Sequence, residues 1–171
     1  GIKTRPCWML VADIQGFSAL SRTMPEDNLA TLVGQWLLEC KDIIESNGGM
    51  INKYLGDGFF AYWHDGRGVP ALVRKALLAL KDHQQKKLVF RLVLHHGRIT
   101  VGGVSAGGEE SLLGSEVNFV FRMEKLAGKL NEPRLASEMA GSLLSTLLPT
   151  TRLKDLHPVP GFPEQYAFVR F

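Results

Sequence analysis

Apolar and polar positions alternate along the first half of the chain in patterns typical of both strands and helices. A near-continuous apolar run at residues 8–12 predicts a buried, central strand. Between residues 29 and 44, apolar side chains recur at i, i+3, i+4 and i+7 for four turns, and Pro25, Glu26 and Asp27 precede them as first-turn residues. A long amphipathic helix is therefore expected to follow the first strand.

Residues 50–55 and 59–63 predict two short strands joined by Gly56-Asp57-Gly58. We expect the two glycines to supply the positive φ angles of a tight hairpin turn. On its own this pattern indicates only a hairpin, since Asp-Gly turns are common.

The second half of the chain continues the mixture of helices and strands. The predicted elements are a helix at 69–84, strands at 88–95 and 99–104 with a turn at Gly97-Arg98, a flexible Gly-rich connection at 105–110, a helix at 116–129 with Ser115 as N-cap, a short strand at 134–135, a short helix at 137–148, and a closing antiparallel pair at 151–156 and 166–171. The order contains βαββαβ, so we predict an α+β, ferredoxin-like antiparallel sheet with helices packed on it and a C-terminal α/β extension.

The length and composition are those of one globular domain. With 171 residues, 45% hydrophobic and 22% charged, we expect residues 1–171 to form a single domain. No apolar run approaches a membrane span, and the first residues do not resemble a signal peptide. Because the chain opens at Gly1, we expect a piece of a longer protein. Cys7 and Cys40 lack metal-type spacing and are expected to be reduced thiols of a cytoplasmic protein.

The charge distribution argues against nucleic-acid binding. The net charge is +3, and the densest basic spot is only Lys86-Lys87. An RNA-binding sheet of this fold would need exposed aromatic residues and a basic face, and neither is visible. A basic cleft for a polyphosphate remains compatible with the sequence.

Two acidic residues end or connect predicted strands and are candidates for a metal site. Asp13 ends the first strand, and Asp57 lies in the hairpin turn. In a βαββαβ sheet the first strand neighbours this hairpin, so both acids are expected at one edge. Two divalent cations can share two such carboxylates and substrate phosphates. The segment after Asp13, which includes Ile14, Gly16, Phe17 and Ser18, could offer backbone N–H groups to phosphate, although it lacks Walker spacing.

Other candidate residues have ordinary explanations when taken alone. Asn118 and Arg122 lie on one face of a predicted helix and are ordinarily interpreted as surface residues near its start. Beside a phosphate site, however, Arg would stabilise the negative charge that develops on a transferring phosphoryl group. Lys53 is either a lysine whose ammonium reaches solvent from a strand end or a donor to a nucleotide. His95 and His96 point to opposite faces of a strand, so we interpret them as structural.

Four ordered sequence blocks resemble the signature blocks of class III nucleotidyl cyclase catalytic domains. They are VADIQGFS at 11–18, KYLGD at 53–57, HGRITVGG at 96–103 and GSEVNFVFRM at 114–123. The resemblance runs over nearly the whole chain. It implies a cyclase of the bacterial type that forms a head-to-tail homodimer, with two active sites at the subunit interface. Regulatory or membrane-anchoring parts would lie outside this chain.

The same resemblance implies specific roles for the candidate residues. Asp13 and Asp57, with the backbone carbonyl of Ile14, would hold two Mg²⁺ or Mn²⁺ ions. Lys53 and Ser111 of the partner chain would read the base of ATP. Asn118 would orient the ribose and Arg122 would stabilise the α-phosphate, so that the 3′-oxygen forms cyclic AMP and pyrophosphate leaves.

Two positions depart from the commonest pattern of that family. Ser111 stands where many adenylyl cyclases have Asp, and a hydroxyl discriminates less between adenine and guanine because it both donates and accepts. Lys53 favours ATP, since guanylyl cyclases usually have Glu there. Phe162 occupies the position that we align with a phosphate-binding Lys, and the loss of that cation would weaken nucleotide binding.

Three other functions were weighed against adenylate cyclase activity. One is a guanylate cyclase, and another is a degenerate cyclase domain that senses nucleotide or dimerises without turnover. A diguanylate cyclase relative is disfavoured because its Gly-Gly-(Asp/Glu)-Glu-Phe hairpin is absent.

Overall fold

A computed structural model of the protein describes residues 3–104 and 110–171. In chain order its elements are β1 (Lys3–Ile14), α1 (Phe17–Thr23), α2 (Glu26–Ser46), β2 (Met50–Leu55), β3 (Gly58–His64), α3 (Val69–His83), β4 (Phe90–Val104), β5 (Glu110–Leu113), α4 (Ser115–Leu130), β6 (Arg134–Ser137), α5 (Glu138–Leu144), β7 (Thr151–Arg152), β8 (His157–Pro158), β9 (Gln165–Tyr166) and β10 (Phe168–Arg170). Residues 105–109 of the connection predicted at 105–110 lie outside the described residues, and Glu110 begins β5.

The main sheet has the strand order β2-β3-β1-β4-β6-β10-β7, and β5 pairs with β4 beside this path. Strands β2, β3, β1 and β4 are each antiparallel to their neighbours, and β1 lies between β3 and β4, as the βαββαβ order predicts. β6 joins β4 in parallel. The α+β fold class is therefore confirmed. β8 and β9 form a separate two-stranded pair near the C-terminus.

Two hydrophobic layers cover the two faces of the sheet. Alternate residues of β1 point to opposite sides, so that Trp8 and Leu10 join one layer and Met9 and Val11 join the other. The crossover helices α2 and α3 pack on the first face together with α5. Among the long helices that the structure describes, α4 is the one that packs on the second face. This places α4 against the same central strand that carries Asp13 next to its last residue.

β4 is one long strand, whereas the sequence predicted two strands and a turn at Gly97-Arg98. It pairs with β1 without interruption from Ile14↔Phe90 to Lys3↔Val101. Gly97 leaves room for the Glu116 side chain of α4 to lie against β4, because a Cβ at this position would lie 2.7 Å from Glu116 Oε2. The glycine was mistaken for a turn signal because a sequence does not show which helix crosses above it.

Several element boundaries also differ from the prediction. Helix α1 was not predicted, and Phe17 and Ser18 belong to its first turn instead of to a loop. Ser115 is the first residue of α4, with Gly114 at the N-cap, so the hydroxyl does not cap the helix. The closing antiparallel pair is confirmed in a shorter form, as β7 and β10. Among the residues that the structure describes, no helix is both long enough and apolar enough to cross a membrane.

Candidate functional site

The turn between β2 and β3 lies directly beside the end of β1. Asp13 is opposite Gly58 in the β1–β3 register, and the Ile14 N–H donates to the Asp57 carbonyl oxygen at 2.7 Å. Neither Gly56 nor Gly58 has a positive φ, so the expected reason for these glycines was wrong. Gly58 is needed for space, because a Cβ there would lie 1.9 Å from the Ala12 carbonyl oxygen. The two acids thus meet at one edge of the sheet.

The charge of Asp13 is poorly balanced by the protein. Its Oδ1 atom is buried and has no hydrogen-bond partner in the described structure. Burial raises the pKa of Asp13 to about 8, together with the hydrogen bond and charge of Glu124 and the charge of Asp57, while Arg91 acts in the opposite direction. A site with excess negative charge and an unused carboxylate oxygen suits a bound cation.

The few carboxylate oxygens at this site fit a divalent ion that keeps water or phosphate oxygens among its ligands. Within residues 3–104 and 110–171, no group of three or more His, Cys, Asp and Glu side chains is arranged to hold a metal ion. The ligands that the sequence resemblance implies, Asp13, Asp57 and the Ile14 carbonyl, would need water and phosphate oxygens to complete the shell. Mg²⁺ is bound in this manner in many phosphate-processing sites.

Asn118 and Arg122 lie on the exposed face of α4 and line a cavity that does not contain Asp13 and Asp57. The cavity has a volume of about 750 Å³ and is lined by Asn118, Phe121, Arg122, Lys125, Leu126, Lys129, Pro158, Val159, Pro160, Gly161 and Phe162. Arg122 Nη1 donates to the Pro160 carbonyl oxygen at 2.5 Å, which leaves its other N–H groups available. Phe162 forms an apolar wall of this cavity, and the centroid of its ring lies 5.0 Å from the centroid of the Phe119 ring.

One ridge of α4 separates the two cavities. Phe121, Lys125 and Lys129 line both the large cavity and a smaller one of about 460 Å³ that contains Asp13 and Asp57. Sequence reasoning missed Glu124, Lys125 and Lys129. The two lysines continue the spacing of Asn118 and Arg122 by three and then four residues, which is a signal that the sequence carried.

The remaining predicted site residues do not line the cavity of the two carboxylates. Lys53 is exposed on the edge strand β2, and Ser111 lies on β5, beside β4. Neither lines the cavity of Asp13 and Asp57. Gly16 precedes α1, Phe17 packs partly on the core, and Ser18 is exposed. Within one chain, therefore, the carboxylates and the predicted base-reading residues belong to different surfaces.

His95 and His96 have structural contacts on opposite faces of β4, as their spacing predicts. His95 is buried, with Nδ1 2.7 Å from Ser137 Oγ and Nε2 bonded to Glu116. His96 Nε2 lies 2.8 Å from Asp65 Oδ2. The bond from His95 lowers the pKa of Glu116. The histidine on the α4 side thus ties the start of that helix to the sheet.

Comparison with solved structures identifies the fold. The chain matches the crystal structure of the adenylyl cyclase CyaB from P. aeruginosa over 99% of its length and 95% of that chain, with a TM-score of 0.86 and 24% identity. It matches the guanylate cyclase domain of RhGC from Catenaria anguillulae, in complex with GTP, over 99% and 98%, with a TM-score of 0.81 and 17% identity. The protein has the fold of class III adenylyl and guanylyl cyclase catalytic domains, and the predicted resemblance is confirmed.

Two proteins named adenylate cyclase are similar to part of this chain in sequence. An adenylate cyclase of Anabaena cylindrica is 25% identical over 138 residues, which cover 72% of this chain. An adenylate cyclase of Streptomyces coelicolor is 29% identical over 120 residues, which cover 69%. The matches span 28% and 29% of those relatives, so this chain corresponds to less than a third of their length. No protein-family profile matches the chain.

Proposed function

We propose that this protein is an adenylate cyclase catalytic domain that converts ATP into 3′,5′-cyclic AMP and pyrophosphate. The observation that carries the proposal is the pair Asp13 and Asp57 at one sheet edge, with a buried carboxylate oxygen that has no partner. Two relatives named adenylate cyclase support the same activity.

Asp13, Asp57 and the Ile14 carbonyl would hold two Mg²⁺ or Mn²⁺ ions, which also contact the phosphates. When bound, such ions acidify the ribose 3′-hydroxyl and offset the charge of the triphosphate. A side-chain base is then not required. Gly16, Phe17 and Ser18 follow the metal ligands, and backbone N–H groups at the start of α1 would face phosphate oxygens.

Asn118 and Arg122 would act on the reacting end of the nucleotide. Asn118 orients the ribose so that its 3′-oxygen faces the α-phosphorus. The guanidinium of Arg122, held at one nitrogen by the Pro160 carbonyl, donates to the α-phosphate as the new bond forms and the bond to pyrophosphate breaks. Positioning and charge stabilisation are the main contributions that a protein makes to phosphoryl transfer.

The active site would be shared between two copies of this chain. Lys53 and Ser111 lie away from the carboxylate cavity, so in a head-to-tail homodimer they would read the base bound at the partner's carboxylates. The Lys53 ammonium is a donor only, which suits acceptors on adenine. Regulatory parts would lie in other segments of a longer protein, and we propose a cytoplasmic location for the catalytic domain.

Guanylate cyclase activity is the second candidate, because a guanylate cyclase domain in complex with GTP has the same fold and Ser111 can both donate and accept. The third candidate is a degenerate cyclase domain. Its support is Phe162, which adds an apolar wall where a cation was expected.

Turnover of ATP and of GTP with Mn²⁺ and with Mg²⁺ tests the proposal. We expect cyclic AMP to form faster than cyclic GMP, and Asp57→Ala to lower turnover by about 100-fold or more because the metal site is lost. Asp42→Ala is the matched control, since Asp42 is an exposed residue of α2 on the other face of the sheet. Silence with both nucleotides in a folded, dimeric sample would favour the degenerate domain.

A further inference from the structure

Helix α4 carries a row of four polar residues that extends beyond the predicted catalytic pair. Asn118, Arg122, Lys125 and Lys129 follow one another at intervals of four, three and four residues, which places them on one face. All four are exposed, and all four line the cavity of about 750 Å³. The two lysines therefore share a cavity with the residues proposed to hold the ribose and the α-phosphate.

The charge of this cavity is positive on one wall only. Arg122, Lys125 and Lys129 are its cations, and no carboxylate is among the described residues that line it. The opposite wall, from Pro158 to Phe162, contributes only prolines, a valine, a glycine and an aromatic ring. An anion in this cavity would thus find its positive partners on α4.

Lys125 and Lys129 are also free to accept such an anion. Neither ammonium forms an ion pair with a carboxylate in the part of the chain that the structure describes, although Asp13, Asp57 and Glu124 line the adjoining small cavity. Lysine suits this role because its flexible stem carries a compact charge to a phosphate.

We propose that Lys125 and Lys129 bind the β- and γ-phosphates of the nucleotide whose ribose and α-phosphate contact Asn118 and Arg122 of the same chain. The lysines lie about 4.5 and 10.5 Å beyond Arg122 along the helix axis, on the side away from Asn118. A nucleotide with its ribose at Asn118 and its α-phosphate at Arg122 would therefore bring its outer phosphates towards them. The inference rests on the proposed function and assigns residues to its substrate. Cations on α4 would then replace the one that Phe162 does not provide.

Equilibrium binding of a non-reacting form of ATP and of AMP tests this assignment. The ATP form used is 3′-deoxy-ATP, which keeps the triphosphate but lacks the hydroxyl that cyclises, and its affinity stands for that of ATP below. Both affinities are measured with Mn²⁺ present for the wild type, Lys125→Gln, Lys129→Gln and the double variant. We expect each single variant to lose about 10-fold in ATP affinity, which is typical of one charge-assisted contact. AMP affinity should change by less than about twofold, because AMP lacks the two phosphates concerned.

Two further variants separate this role from a general effect of charge. Lys125→Arg keeps the positive charge and should retain most of the ATP affinity. Lys75→Gln removes an exposed lysine from α3, on the opposite face of the sheet, and should change neither affinity. Equal losses for ATP and AMP, or an equal effect of Lys75→Gln, would overturn the inference.

Failure of the inference can be told apart from failure of the proposed function. A wild type that makes cyclic nucleotide while the lysine variants keep its preference for ATP over AMP contradicts only the roles of Lys125 and Lys129. A wild type that binds no ATP at all contradicts both.

Discussion

Asp13 is the residue at which stability and the proposed function conflict most clearly. Its carboxylate is partly buried, has one oxygen without a partner and stands close to Glu124 and Asp57. Such a group lowers the free energy of unfolding unless a positive charge compensates it. A metal ion bound at the same residues would provide that compensation.

Replacing Asp13 with Asn should therefore stabilise the metal-free protein while abolishing turnover. We expect the free energy of unfolding at neutral pH to rise by about 1 kcal/mol. With a pKa of about 8, folded Asp13 must take up a proton that the ionised side chain of the unfolded chain does not carry, and Asn removes this cost. Mn²⁺ should raise the melting temperature of the wild type and leave that of the variant unchanged. A wild type that does not respond to Mn²⁺, or a variant that is less stable than the wild type, would contradict this explanation.

Gly58 illustrates a second constraint on a single residue, and Gly56 offers its matched control. A Cβ at Gly58 would lie 1.9 Å from the Ala12 carbonyl oxygen, whereas one at Gly56 would have nothing within 4 Å. Gly58→Ala should lower the free energy of unfolding by about 3 kcal/mol or more, because β1 and β3 must move apart. Gly56→Ala should be close to neutral. Urea denaturation measures both, and similar losses in the two variants would contradict the account.

At the level of elements, α4 joins the sheet to the candidate site. Glu116 in its first turn bonds to His95 of β4, and the residues that follow along the helix line both cavities. The sequence predicted this helix and the Asn118–Arg122 pair from local spacing. It did not predict the contact with Gly97 or the merger of two strands into β4, because both depend on residues distant in sequence.

The bond between Glu116 and His95 should make part of the stability depend on acidity. It lowers the pKa of Glu116, so its contribution is present above the ordinary Glu value and is lost as the pH falls through the lower, folded-state value. The charge of His96 also lowers the pKa of Glu116. Glu138 of α5 is a further acid nearby, since it lines one cavity together with Glu116 and His95. Wild type should therefore be more stable than Glu116→Gln at pH 6, and the difference should shrink as the pH falls below about 4.5.

Chemical denaturation between pH 3 and pH 7 measures this difference in the free energy of unfolding. The other acids are the same in both proteins, so their contributions cancel in the comparison. A difference that stays constant over the whole range would show that the bond does not depend on the charge of Glu116.

At the level of the whole molecule, one chain divides the candidate site residues between two adjoining cavities, and Lys53 and Ser111 line neither of them. The βαββαβ order and the four sequence blocks sufficed to predict the fold and the meeting of Asp13 with Asp57. They did not reveal the two cavities, the ridge of Lys125 and Lys129 between them, or the aromatic packing of Phe162. Those features arise where α4 and the C-terminal segment pack together, and no local pattern encodes that packing.

Mixing two inactive variants tests the central claim most directly. Asp57→Ala lacks the metal site, and Arg122→Ala lacks the guanidinium at the α-phosphate, so each alone should make almost no cyclic AMP. In the proposed dimer each site takes Asp57 from one chain and Arg122 from the other, so a mixed pair has one site with both residues intact. Free exchange should then restore roughly a quarter of wild-type turnover. Recovery at that level would support an adenylate cyclase whose active site is built from two chains. No recovery, in samples shown to exchange subunits and with an active wild type, would contradict it.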